Sequence, residues 1–221
     1  HRRLSIIDID QRSNQPMEYE NTILIFNGEI YNYIEIKKQL ISMGHTFKTN
    51  SDTEVLIHAL KQWKEKAVDF LEGMWAFAWY DNKTKKLILS RDRFGEKPLY
   101  YGWINKNFIF CSELNPIRKI YKNNLKINKK ALSLYTQYGY VPSPYSIYEE
   151  IYKLEAGTYI EVIKQNKNYK INKKQKFFNP ENKYYDLKNS NTSIETIHQN
   201  LINSVSEKLV ADVPVGVFLS G

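Results

Sequence analysis

Cysteine is nearly absent: one residue, Cys111, stands in a chain of 221. A lone cysteine excludes an internal disulfide and any CxxC metal site, and it fits a reducing cytosol. The four histidines, His1, His45, His58 and His198, are scattered without ligand spacing, so no metal site is expected among these residues. Long apolar runs are lacking too. None approaches the roughly 18 residues that a membrane span requires, and no signal peptide precedes His1. The expectation is a soluble, cytoplasmic protein with no membrane partner. The first residue is histidine and not methionine, so further chain is expected upstream.

Acidic residues are the minority, 24 against 32 basic ones, and the net charge of +8 makes nucleic acid a partner to weigh. The basic runs argue against it. Lys83 to Lys86 and Lys164 to Lys176 sit among Asn, Gln and Tyr between strand-like segments, where solvated hairpin tips are expected. No recognised nucleic-acid motif accompanies them, so nucleic acid is not an expected partner. What is present is the balance of a folded protein, with 42% apolar and 25% charged residues. The length allows one good-sized domain, or one and a half smaller ones.

Thr22 to Phe26 is a short β-branched run ending in Asn27-Gly28, which predicts a strand delivering a turn. A helix should follow, with Asn32 and Glu35 as a capping box, Tyr33, Ile36, Leu40 and Met43 at helical spacing, and Gly44 as its stop. Ser51 with Glu54 predicts a second capped helix through Val55, Leu56, Ala59, Leu60 and Trp63, which puts Asp52 on its first turn. From Met74 the period changes to two. Trp75 to Tyr80 with Leu87 to Ser90, and Leu99 to Trp103 with Phe108 to Ser112, predict antiparallel hairpins. A helix from Lys129 to Tyr138 should end at Gly139, before the extended loop that Pro142 and Pro144 force. Thr158 to Ile163 with Tyr169 to Ile171 predicts one more hairpin. Residues 172–190 turn polar and read as a linker. Thr192 with Glu195 then predicts a capped helix through Ile194, Ile197, Leu201, Val205 and Leu209, and Val215 to Leu219 a strand running into Ser220-Gly221. Helix, strand and a Ser-Gly loop are how an α/β nucleotide domain begins.

Several strings carry more than periodicity. They are His1-Arg2-Arg3-Leu4-Ser5-Ile6-Ile7-Asp8, Asn27-Gly28-Glu29-Ile30-Tyr31-Asn32, Ser51-Asp52-Thr53-Glu54 and Val213 to Gly221, joined by Gly73 to Ala78, Arg91 to Gly95, Lys97 to Tyr101 and Gly139 to Pro142. In wording and order they resemble the glutamine-hydrolysing asparagine synthetases, class II glutamine amidotransferases, over nearly the whole chain. The resemblance implies an α+β fold, a four-layer αββα sandwich of antiparallel sheets of the N-terminal-nucleophile hydrolase type, followed by the first helix and strand of an ATP-pyrophosphatase domain. It implies domains at residues 1–171 and 191–221, joined by the linker at 172–190.

By the same resemblance Arg3 binds the α-carboxylate of glutamine, for which a planar guanidinium fork is suited. On the residues alone it is a surface arginine. Asp52 would pair with the α-ammonium, although a helix-capping carboxylate explains it equally well. Leu4, Ser5, Ile6, Ile7 and Glu29 would line the glutamine pocket; without the resemblance, Leu4 to Ile7 is merely a buried strand. Asn27 and Gly28 would form the oxyanion hole, a side-chain amide and a backbone N–H donating to the carboxamide oxygen. The competing reading is a hairpin turn, against which stands the capped helix that follows. The nucleophile implied is an N-terminal cysteine, which no residue here matches, so the 221 residues by themselves should not hydrolyse glutamine. Cys111, mid-strand, reads as inert.

Leu219, Ser220 and Gly221 would begin the loop that holds ATP, with Mg2+ bound beyond it. Aspartate would be activated there as its adenylate, and ammonia would reach it through the protein. Met74 and the segment from Arg91 to Leu99 would face that passage, with apolar core the plainer reading of Met74. Glutamine, aspartate and ATP are thus the expected partners, and there is room for a homodimer. Two rivals stay open: a relative amidating another carboxylate, such as a sugar acid of a surface polysaccharide, and a non-catalytic scaffold member.

Overall fold

The computed structural model describes residues 6–8, 10–165, 168–182 and 193–219. Along the chain run β1 (Met17–Tyr19), β2 (Thr22–Ile30), α1 (Tyr33–Ser42), α2 (Asp52–Trp63), β3 (Gly73–Asp81), β4 (Lys86–Arg91), β5 (Tyr100–Ile104) and β6 (Asn107–Cys111). Then come α3 (Leu114–Tyr121), α4 (Lys129–Tyr138), β7 (Ile151–Lys153), β8 (Thr158–Gln165), β9 (Asn168–Lys176) and α5 (Ile194–Glu207). Every strand pair with a described register is antiparallel, so the α+β fold with antiparallel sheets is what the structure shows. The chain divides into two compact units. One holds residues 1–25, 29–73 and 179–221, the other 26–28 and 74–178.

In the first unit β1 pairs with β2, Met17 opposite Leu24 and Tyr19 opposite Thr22. Helix α2 is buried without a break from Asp52 to Leu60, with the polar Asp52, Thr53, Glu54 and His58 taken inside along with the apolar residues. The Ser51 side chain accepts from the Thr53 N–H and caps it. Glu54 does not close the expected capping box. Its carboxylate instead accepts from the Lys48 and Thr49 backbone N–H groups at 2.9 and 2.7 Å and from the Thr49 hydroxyl, tying down the loop before the helix. Asn32 differs in the same way: it sits at the N-terminus of α1, but its amide donates to the Phe70 carbonyl and accepts from the Glu72 N–H, at 2.9 and 3.0 Å. A capping box is a local pattern, and in both cases other backbone groups, far along the chain for Asn32 and in the preceding loop for Glu54, outbid the N–H of the cap for the same side chain.

The second unit carries the sheets. From the Phe26–Gly28 part of β2 the strand order runs through β3, β4 and β8 to β9, and a second sheet has the order β6, β5, β7. Ala76, Ala78, Leu89, Ile160 and Val162 of the first sheet pack with Leu99, Tyr101 and Leu154 between the two. Behind the second sheet Ile117 of α3 joins Ile104 and Ile151. Trp75, Phe77 and Trp79 of β3 are fully buried, each contributing about 1.5 to 3 kcal/mol through the water-exposed surface it removes. All three expected hairpins form, and α4 ends as read, with Gly139 left-handed at φ 75° and its N–H on the Tyr135 carbonyl.

Four expectations need correcting. Asn27-Gly28 is no turn: β2 runs straight through it to Ile30. Strand β9 continues to Lys176, so the polar segment from Asn172 is an edge strand, its lysines discouraging further pairing, before it is anything else. Val215 to Leu219 forms no strand, because a strand needs a ladder partner and among the described residues these have none. Helix α5 opens one residue later than read, capped by Ser193, while Thr192 lies outside the described residues.

Candidate glutamine site

The oxyanion candidates lie side by side on β2, in the second unit. Gly28 is required there by proximity: at φ 152° a Cβ would stand 2.0 Å from the Met74 carbonyl oxygen and 2.8 Å from the Trp75 Cα. The backbone of β3 thus closes on Gly28 as no side chain would allow. Asn27 is half-buried, and its amide donates to the Ser112 hydroxyl at 3.4 Å, which uses one of its two N–H groups and fixes the plane of the amide.

A buried carboxylate that sequence reasoning left without a role stands behind this strand. Asp92, fully buried, accepts from four backbone N–H groups: Trp75 at 3.2 Å, Phe94 at 3.0 Å, Glu96 at 2.9 Å and Lys97 at 3.0 Å. Its own N–H donates to the Trp75 carbonyl at 2.9 Å. The charge is satisfied by backbone dipoles in place of a cation, and the start of β3, which presses on Gly28, is pinned by it. Beside it the Arg91 guanidinium donates to the Lys97, Leu154 and Gly95 carbonyls at 2.7, 2.8 and 2.5 Å. The segment from Arg91 to Leu99 is therefore a folded clasp around two opposite charges. No spacing in this charged stretch marks it in the sequence.

In the first unit Asp52 is 3% exposed on the first turn of α2, where the helix dipole favours a carboxylate. One oxygen accepts from the Ile30 N–H at 3.2 Å and the other from the Thr53 hydroxyl at 3.4 Å. It therefore holds the end of β2 one residue beyond Glu29, which is half-buried. Ile7 is buried and Ile6 half-buried. Arg3, Leu4 and Ser5 lie outside the described residues, as do Ser220 and Gly221; Leu219 is 91% exposed. Cys111 is half-buried on β6 opposite Tyr100.

The histidines are not all scattered. The Nδ1 atoms of His45 and His58 lie 2.9 Å apart, so one ring donates and the other accepts, and His58 stacks on Tyr19 with ring centroids 3.8 Å apart. Burial, above all, pulls the His58 pKa down from 6.5 to about 4; His45 adds to that, while Glu54 and Glu20 oppose it. The unfolded chain then takes up a proton near pH 6.5 that the folded one refuses until about 4. Stability present above 6.5 is lost as pH falls through that window, by about 2 kcal/mol between pH 7 and 5. Urea melts at both pH values should show this slope, and His58→Gln should remove that part of it; an unchanged slope in the variant would show that His58 does not carry it. Among the described residues no three His, Cys, Asp or Glu gather as metal ligands would, and no helix is long and apolar enough to cross a membrane.

A family model described as a glutamine amidotransferase domain matches residues 1–177. The chain belongs to the glutamine amidotransferase domain family. All of it aligns, at 36% identity, with a putative asparagine synthetase (glutamine-hydrolyzing) 2 of Methanocaldococcus jannaschii, of which it covers 45%. It aligns likewise at 37% identity with asparagine synthetase (glutamine-hydrolyzing) 1 of Bacillus subtilis strain 168, covering 34% of that protein. The chain thus spans less than half the length of these relatives. Among solved structures, one titled as the allosteric regulatory enzyme of purine biosynthesis superposes with a TM-score of 0.50 at 22% identity, over 75% of this chain and 31% of that one. That likeness supports the fold.

Proposed function

We propose that this amidotransferase chain carries the glutamine-binding half of a glutamine-dependent asparagine synthetase. The observation that carries the reading is the pair Asn27 and Gly28, an anchored side-chain amide beside a glycine against which no Cβ would fit. A thiolate attacks the glutamine carboxamide carbon, and the electron pair of its C=O moves onto oxygen. The Asn27 amide and the Gly28 N–H donate to that oxygen, where preorganised donors act most strongly. When the oxyanion collapses the C–N bond breaks, the nitrogen takes the proton that the thiol gave up and leaves as ammonia, and water then cleaves the thioester to glutamate and the free thiol. The thiol comes from an N-terminal cysteine in the full-length protein; without it the 221 residues bind glutamine and leave it intact.

Arg3 and Asp52 clamp the two charged ends of the substrate. Buried at the start of α2 and bonded to the end of β2, Asp52 is preorganised, so little ordering is lost when an ammonium meets it. Ammonia passes to an aspartate activated by ATP. Of the loop assigned to ATP only Leu219 is described, and an exposed leucine by itself offers nothing that fits a phosphate or Mg2+. The test uses both nitrogen sources in the full-length protein. Arg3→Ala or Asp52→Ala should raise the glutamine KM by about 10- to 100-fold, the range of about 1.5 to 3 kcal/mol for hydrogen bonds to charged groups, with ammonia-driven asparagine synthesis unchanged. Equal loss from both sources would place these residues outside the glutamine site.

A further inference from the structure

Residues 209–219 form no helix or strand, yet one residue among them is bonded at both ends of a tripeptide near the other end of the chain. The Asp212 N–H donates to the Ile6 carbonyl at 3.0 Å, and the Asp212 carboxylate accepts from the Asp8 N–H at 2.8 Å. Between these two bonds lies Ile7, buried to 3%. All of these residues belong to the first unit.

Asp8 is the reason the bonds matter. Its φ is 49°, left-handed, which an L-residue rarely adopts unless its surroundings over-determine it. Three bonds do so. Besides the N–H held by Asp212, one carboxylate oxygen accepts from the Asn50 N–H at 2.8 Å and the other from the Asp10 N–H at 3.2 Å. Asn50 stands two residues before Asp52, and its side-chain oxygen accepts from the Lys37 ammonium at 3.2 Å. The Asp8 conformation therefore sets the place of Ile6 and Ile7 and also of the turn that delivers Asp52. The charges converge as well: the Tyr33 hydroxyl is pushed above its usual value by burial first and then by Asp212, Asp52 and Asp8 together.

We propose that Asp212 is a positioning residue for the glutamine site, latching Ile6 to Asp8 and, through Asp8, the Asn50 turn that leads into Asp52. This rests on the glutaminase reading above, and it adds to that reading a link by which residues after the amidotransferase domain hold the glutamine clamp in shape. Without the Asp212 carboxylate, Asp8 relaxes out of the left-handed region, and the Ile6–Ile7 segment and the Asn50 turn that leads into Asp52 lose their setting while the core stays intact.

The experiment compares Asp212→Ala and Asp212→Asn in the full-length protein, the second keeping an oxygen that can accept from the Asp8 N–H. Asp212→Ala should raise the glutamine KM about tenfold with ammonia-supported synthesis within twofold of wild type, and Asp212→Asn should restore most of the loss. Hydrogen exchange at the Asp8 and Asn50 amides should quicken in the alanine variant and not in the asparagine one. A glutamine KM within twofold of wild type in Asp212→Ala, an equal fall with both nitrogen sources, or unaltered exchange at Asp8 would each overturn the proposal. Wild-type protein that releases no ammonia from glutamine sinks the glutaminase reading instead, and the exchange data then decide the latch by themselves.

Discussion

Gly28→Ala is expected to lower stability by at least about 3 kcal/mol and to remove glutaminase activity with it. Two separate costs meet at this position. A Cβ would lie 2.0 Å from the Met74 carbonyl oxygen, a distance that only a displacement of β3 or β2 can relieve, and φ 152° suits glycine alone. Displacing β3 is resisted by the Asp92 carboxylate on the Trp75 N–H and by the fully buried Trp75. For a chain of this size a loss of about 3 kcal/mol corresponds to roughly 6 to 12 °C in Tm. Gly139→Ala is the control. Gly139 has a φ of 75° and nothing within 4 Å of a Cβ, so only the backbone term applies, about 1 kcal/mol. If the two variants melt alike, β3 does not press on Gly28, and the close approach that singles out the glycine is gone.

The same residue shows where sequence reading stops. Asn-Gly after a β-branched run is a turn signal by local propensity, and locally the reading was sound; what overrides it is β3, whose backbone reaches Gly28 from 46 residues further on. Asn32 fails as a capping-box member for the same reason, since Phe70 and Glu72 claim its side chain, whereas Glu54 is drawn to the Lys48 and Thr49 N–H groups of the loop just before the helix. Patterns that need no distant partner were legible. The period-two runs gave the hairpins of β3 with β4 and β5 with β6, Ser51 capped α2, and Gly139 ended α4. Asp92 and the His45 and His58 pair were not legible, because neither a carboxylate fed by backbone N–H groups nor a histidine buried on a tyrosine leaves a spacing to count. Val215 to Leu219 erred in the other direction. An apolar run says that a strand is affordable and not that a neighbouring strand is there to bond it.

Asn27→Ala is expected to cut glutaminase kcat by about 100-fold or more while glutamine KM and Tm stay nearly unchanged. The structure makes the expectation sharper than the motif could. Because Asn27 lies within a continuous strand, its backbone conformation is one that alanine adopts without strain, so a turn-supporting role no longer predicts a stability loss. Its side chain is half-buried, and its one described bond is to the Ser112 hydroxyl at 3.4 Å, at the long end for an N–H donor, so little native-state energy leaves with it. What does leave is an amide held in plane before the substrate arrives, and such a donor is worth most when charge develops on the oxygen it faces. Steady-state kinetics and a melting curve on the same full-length variant separate the possibilities. A variant with normal kcat would remove Asn27 from the chemistry whatever its Tm, and would leave Gly28 as a packing glycine between two strands.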